Sequence, residues 1–243
     1  TYHSLAKKIG FHLSSYDFMN ESELITDTFL YHSYYKNILL EVIPPNLYSK
    51  LNPKHNSTVS DFISFVELVK SKIMDPATVF KDSKIESFKQ IYIKAFIYSE
   101  ELRKSEKKQF FSDLIYDVIV TCNENKDAYS FITNRYDIVM VDEYQDSNQA
   151  CHELLQLISG SRAKVNVVGD DDQTIYDFTG SSPKFLKTQI DLDFYPVKAY
   201  TLTQTFRFGH SVALIANNVI SNNKDRIPKL CISGRSHTEI SLI

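Results

Sequence analysis

Tyr136-Asp137-Ile138-Val139-Met140-Val141-Asp142-Glu143 is a short apolar run that ends in two acids. Runs of this length and content read as buried strands of a parallel sheet. A second such run, Lys164 to Val168, opens into Gly169-Asp170-Asp171-Asp172-Gln173-Thr174-Ile175-Tyr176. A third, Lys198 to Leu202, is followed by Thr205-Phe206-Arg207 and Gly209. Between the first two lies a helical stretch with Leu154, Leu155, Leu157 and Ile158, which Asp146 or Ser147 is placed to cap and Gly160 to stop. Val212, Leu214, Ile215, Val219 and Ile220 mark a last helix. Strand–helix–strand alternation predicts an α/β architecture with parallel strands.

Upstream of this region the pattern changes. Only Gly10 lies before residue 160, while five glycines follow. Long stretches without glycine favour helices. Apolar residues at helical spacing predict helices over 21–42, from Phe62 to Ile73, from Ile85 to Phe96 and from Phe110 to Val120. Pro44-Pro45 and Pro76 break the chain, and residues 46–58 read as a loop. The aromatic residues along these helices are expected to pack a core.

Composition removes several classes of protein. With 43% hydrophobic and 23% charged residues the chain is not a disordered one. No apolar run approaches the length of a transmembrane helix, and the N-terminus lacks a signal pattern. Cys122, Cys151 and Cys231 are too few and too far apart for a zinc ribbon or a disulfide framework. They suit a reducing compartment, and a cytoplasmic, membrane-free protein is expected. A net charge of −3 gives no bulk signature for nucleic acid, so any such binding must come from a local groove.

The residues at the strand ends are the chemically suggestive ones. In open α/β sheets ligands bind at the carboxyl ends of strands. Of the two carboxylates there, Asp142 and Glu143, one can hold Mg²⁺ and the other can orient and deprotonate an attacking water, a division that suits nucleoside triphosphate hydrolysis. Three consecutive aspartates repel one another, so the 170–172 loop either faces water or sits near cations. Gln173 can donate to a phosphate oxygen and accept from a water. Arg207 has the planar fork that makes bidentate phosphate contacts.

The order of these pieces resembles a known family. Val141-Asp142-Glu143-Tyr144-Gln145-Asp146-Ser147-Asn148 resembles motif II of the UvrD/Rep/PcrA group of superfamily 1 DNA helicases. Val168 to Tyr176 is similar to their motif III. Leu202-Thr203-Gln204-Thr205-Phe206-Arg207, followed by Ile215 to Ile220, is similar to their motif IV. Thr1-Tyr2-His3-Ser4-Leu5 is similar to motif Ib, and Phe111-Ser112-Asp113-Leu114-Ile115 to the helix that leads back into the motor domain. The resemblance implies a partial RecA-like motor core with a parallel sheet, carrying a helical insertion subdomain. Residues 1–5 would end the first part of the 1A motor domain, 6–108 form the helical 1B-like subdomain, 109–197 complete 1A, and 198–243 open the 2A motor domain.

Roles follow from the same resemblance. Asp142 would ligate Mg²⁺ and Glu143 activate the hydrolytic water. Gln145 and Gln173 would sense the γ-phosphate of ATP. Arg207 would act as an arginine finger. Tyr176 and Phe178 would line a groove for single-stranded DNA by stacking on bases, with Tyr2 and His3 nearby. The activity implied is 3′-to-5′ ATP-dependent translocation on single-stranded DNA and at duplex junctions.

Two departures matter. The chain has no Gly-Lys dipeptide, so the G-x-x-x-x-G-K-[ST] loop that cradles phosphates is missing from it. It is therefore expected to be the middle of a longer motor, inactive alone. The family's Trp-Arg-Gly after motif III is replaced by Phe178-Thr179-Gly180, which leaves an aromatic face but removes a cation. Two other classes compete. A non-catalytic helicase-like module that binds nucleic acid would lack the phosphate loop altogether. A two-metal nuclease would use Asp142, Glu143 and Asp170 to Asp172, but leaves Gln173 and Arg207 without a purpose.

Overall fold

A computed structural model describes residues 1–79, 88–174 and 180–235. Its centre is a parallel pair of strands, β3 (Ile138–Val141) and β4 (Lys164–Val167), aligned with Val139 opposite Val165 and Val141 opposite Val167. The crossover between them is α8 (Gln149–Ser159). Asn148, rather than Asp146 or Ser147, caps this helix, its side-chain oxygen accepting the Cys151 N–H at 3.0 Å. The two earlier residues are held in a 3₁₀ turn and its exit, so the cap falls one position later. Gly160 ends the helix with φ +52°, where a Cβ would strike Asn134 and Thr133.

The strands alternate instead of being covered on both sides. Val139, Val141, Val165 and Val167 pack onto a core of Tyr144, Leu155, Phe185 and Ile190. Ile138 and Met140 point the other way and are exposed, and no described residue covers that face. The third strand expected over 198–202 does not form. Those residues lack regular structure, and pairing starts only at β5 (Gln204–Thr205), parallel to β6 (Ile232–Ser233). A strand needs a partner for its backbone groups, and β6 is only two residues long. The last helix, α10 (His210–Ile220), lies between these strands.

The N-terminal half is helical, as its glycine-poor pattern predicts. α1 (Tyr2–Ser15) buries Ala6, Ile9 and Leu13, one face of a helix, against α6 (Asp113–Glu124), α7 (Lys126–Ile132) and α8. A second apolar core joins α2 (Thr28–Val42), α3 (Asn56–Lys72) and α5 (Lys89–Ser105) through Tyr35, Ile38, Leu39, Phe62, Phe65, Val66, Tyr92 and Phe96. Each such buried side chain is worth about 1.5–3 kcal/mol. A short α4 (Pro76–Val79) follows Pro76.

The boundaries differ in three places. Residues 21–27 are not helical: β1 (Glu23–Leu24) pairs in parallel with β2 (Lys108–Gln109), and Asp27 caps α2 by accepting the Leu30 N–H at 2.9 Å. The loop read over 46–58 holds a 3₁₀ turn at Pro45–Leu47 and gives way to α3 at Asn56. Phe110 precedes α6 and is buried against the rings of Tyr31, Tyr34 and Tyr35. Ile85 lies outside the described residues. Among the described residues no helix is long and apolar enough to cross a membrane, and Cys122, Cys151 and Cys231 are free thiols.

α3, α5 and α6 are also joined by buried charge. Lys70 and Asp113 are ion-paired and almost fully buried. Glu100 accepts from Lys70 at 2.7 Å and also pairs with Arg103, whose fork reaches Asp117 at 2.7 and 3.0 Å. Asp113 further accepts the Phe110 backbone N–H at 2.8 Å. Burial alone would raise the Glu100 carboxyl, but Lys70 and Arg103 hold it down to about 2. Removing one member strands its partners in an apolar interior. Lys70→Met is expected to cost about 3–5 kcal/mol in chemical denaturation, and Lys70→Met with Asp113→Leu to recover part of that loss.

Candidate functional site

The two strand ends are tied together by the turn that follows β3. Val168 N–H donates to the Val141 carbonyl at 2.8 Å, and Tyr144 N–H donates to the Val168 carbonyl at 2.9 Å. Between these bonds the chain must reverse, and it does so at Glu143, which sits at φ +53°. A glutamate in this left-handed region is strained by about 1–3 kcal/mol and persists only where its surroundings over-determine it. Asp142 supports it locally, accepting the Glu143 N–H at 3.0 Å.

Gln145 connects the pieces. Its side chain is buried, and its amide nitrogen donates to Glu143 Oε2 at 2.7 Å. Its amide oxygen accepts the Asp170 backbone N–H at 3.0 Å. Gly169 is required for this approach, since a Cβ there would lie 2.7 Å from that oxygen. Asp170 in turn accepts from Gln173 Nε2 at 2.6 Å. Glu143, Gln145, Asp170 and Gln173 thus form one hydrogen-bonded line across the ends of β3 and β4, with Asp142 at its edge.

The other sequence candidates fall elsewhere. Arg207 is exposed beyond β5, and its guanidinium makes no hydrogen bond or ion pair among the described residues. Tyr2 is half-buried between two apolar clusters, with its hydroxyl 3.5 Å from Ser147 Oγ; burial pushes its phenol pKa up. His3 stacks on Phe111, ring centres 4.0 Å apart, and burial lowers its pKa. Tyr176 and Phe178 lie outside the described residues.

The three aspartates find cations. The carboxylates of Asp170, Asp171 and Asp172 lie within 4.8 Å of one another. The Lys229 ammonium pairs with all three, at 2.8 Å from Asp170 and 2.9 Å from Asp172. Arg226 makes a forked contact with Asp172 at 2.6–3.1 Å, and the Ile227 N–H donates to Asp171 at 2.7 Å. Arg226 and Lys229 give no local sequence signal, since they lie more than fifty residues downstream. A second constellation missed at that level joins Tyr144 to His152 and Asp193.

Metal fit differs between the two acidic groups. Asp142 is exposed at a strand end, has no cation partner among the described residues, and offers hard carboxylate oxygens of the kind Mg²⁺ takes. In the turn that follows, Asp146 Oδ1 is buried without a hydrogen-bond partner. At Asp170–Asp172 the Lys229 ammonium already stands among the carboxylates, so that loop is a clamp rather than a cation site.

The clamp has a pH signature. The Arg226 hydrogen bond, opposed by burial, holds the Asp172 carboxyl at about 2. A depressed carboxylate contributes stability above its unfolded pKa near 4 and loses it as pH falls toward the folded value. The protection factor of the Ile227 amide, the slowing of its exchange relative to an unprotected amide at the same pH, is therefore expected to hold from pH 7 to 5 and to fall from pH 4 to 2 as the clamp loosens. Lys229→Met is expected to lower it at pH 7.

A model of the UvrD/REP helicase N-terminal domain matches residues 1–192. The ATP-dependent DNA helicase Rep of Escherichia coli (strain K12) is 38% identical over 113 residues, 46% of this chain and 17% of that protein. The ATP-dependent DNA helicase PcrA of Staphylococcus aureus (strain Mu50) is 28% identical over 168 residues, 69% of this chain and 23% of that protein. The matched segments thus span less than a quarter of either relative. The family match runs through the turn that carries Glu143 and Gln145 and through the clamped aspartate loop, and the chain belongs to the UvrD/REP helicase N-terminal domain family.

Proposed function

We propose that this chain is the central part of an ATP-dependent DNA helicase or translocase. The observation that carries the reading is the line Glu143–Gln145–Asp170–Gln173, which links two strand ends through side-chain amides. Amides suit sensing of a terminal phosphate, because each has both a donor and an acceptor to exchange when the phosphate leaves.

In this reading β3, β4 and their helices belong to a RecA-like motor core over 109–197, the helical residues 6–108 to a 1B-like insertion, and 198–243 to the start of a second motor domain. Asp142 holds Mg²⁺, which neutralises charge on the phosphates when bound. Glu143 orients the attacking water and takes its proton. Gln145 is already hydrogen-bonded to Glu143, so a change at the phosphate reaches the base directly. Gln173 reports the same event to the aspartate loop. Arg207, exposed and unpaired among the described residues, is free to reach the transferring phosphoryl when the second motor domain closes. Single-stranded DNA runs past Tyr2, His3, Tyr176 and Phe178, with 3′-to-5′ polarity.

Substitution in the intact protein separates these roles. Glu143→Gln is expected to lower DNA-stimulated ATPase by about two to four orders of magnitude while leaving nucleotide binding intact. Arg207→Ala is expected to lower it roughly a thousandfold. Residues 1–243 alone, with no Gly-Lys phosphate loop, are expected to show no turnover. Normal turnover by Glu143→Gln would refute the site assignment.

A further inference from the structure

Behind the Glu143 turn lies a buried line of polar groups that the proposed reaction does not use. Tyr144, fully buried, has its hydroxyl 2.5 Å from His152 Nδ1. His152 Nε2 lies 2.6 Å from Asp193 Oδ2, and the same oxygen accepts from Gln189 Nε2 at 2.7 Å. The imidazole is packed against the rings of Phe185 and Phe194, with centroids at 5.2 and 6.0 Å. Tyr144 belongs to the turn, His152 to α8, and Asp193 ends α9 (Ile190–Asp193).

The chemistry of the groups sets the direction of each bond. An ionised carboxylate only accepts, so His152 Nε2 carries a hydrogen. A neutral imidazole has one N–H, which leaves Nδ1 as an acceptor for the Tyr144 hydroxyl. The phenol is then held at its far end by His152, while its backbone N–H is held by the Val168 carbonyl. Tyr144 stands between Glu143, in its strained conformation, and Gln145. Strain of this kind persists where neighbouring contacts leave the backbone no alternative, and an anchored ring at the adjacent residue supplies such a contact.

We infer that Asp193, His152 and Tyr144 form a positioning relay, in which α9 and α8 hold the turn that places the Glu143 carboxylate and the Gln145 amide for ATP hydrolysis. The inference rests on the function proposed above for Glu143. The three are positioning residues, since they act through the turn and not on the nucleotide. The outer end of the relay, Asp193, lies at the start of the connection to the segment bearing Arg207. The line of contacts therefore runs from that connection to the Glu143 turn.

The test is steady-state ATPase of the intact protein at saturating single-stranded DNA. His152→Phe keeps an aromatic ring against Phe185 and Phe194 and removes both hydrogen bonds; Tyr144→Phe removes only the hydroxyl. Both break the one bond that reaches the turn, Tyr144 to His152, and each is expected to lower kcat roughly tenfold, about the effect of one lost buried hydrogen bond, with KM for ATP within about twofold of the parent. The double variant is expected to be no worse than either single one. Parental kcat in folded His152→Phe overturns the relay, as do effects that multiply, or a fall in kcat that tracks the unfolded fraction seen by circular dichroism. Glu143→Gln, run alongside, separates the two levels. If it turns over normally, the functional reading and the relay both fall; if it is inactive while His152→Phe is normal, only the relay falls.

Discussion

The parallel pairing of β3 with β4 is the constraint on which the site depends. It sets Val141 beside Val167, and so brings residues 142–145 against residues 168–170. Two backbone bonds close the junction, and both use Val168. Between them the chain turns at Glu143, whose left-handed backbone carries the strain of the junction. Gln145 then fills the gap over Gly169, and its two-ended amide makes one unit of two loops that are distant in sequence. A residue with only donors or only acceptors could not bridge a carboxylate and a backbone N–H.

Charge is managed differently in the two halves. In the helical half Lys70, Arg103 and Asp113 are buried, with Glu100 and Asp117 half-buried beside them, and the five ionic side chains tie three helices together. In the α/β half three aspartates on one short loop require outside cations, which arrive from the segment after α10. The loop bearing Gln173 is thereby held to the downstream segment that contains Lys229. Asp170 sits at the meeting point, receiving Lys229 and Gln173 on its carboxylate while its backbone serves Gln145.

Much of the architecture was readable from local pattern. Helix faces at three- and four-residue spacing identified α3, α5, α6, α8 and α10, because side-chain direction repeats with the backbone. β3 and β4 were readable from β-branched runs that end in acids or glycine. Residues 21–27 were misread because Leu24 and Ile25 fit a helical stripe, while their backbone pairs with a segment more than eighty residues away. The strand expected at 198–202 failed for the converse reason: apolar content does not supply a partner. The cap of α8 slipped because three capping residues stand in a row, and the 3₁₀ turn chose among them.

The order of residues alone determined the kind of chemistry on offer, since carboxylates, amides and a guanidinium at strand ends have fixed donor and acceptor properties wherever the chain goes. It also determined the family, because that is a matter of which residues follow which. Tertiary structure decided which of these groups meet. Glu143, Gln145 and Gln173 share one hydrogen-bonded line, the aspartates face Lys229 and Arg226, and Tyr144 faces His152 and Asp193. The physical reason is range: helical and strand periodicity reaches a few residues, whereas these contacts depend on strand register and helix packing across tens of residues.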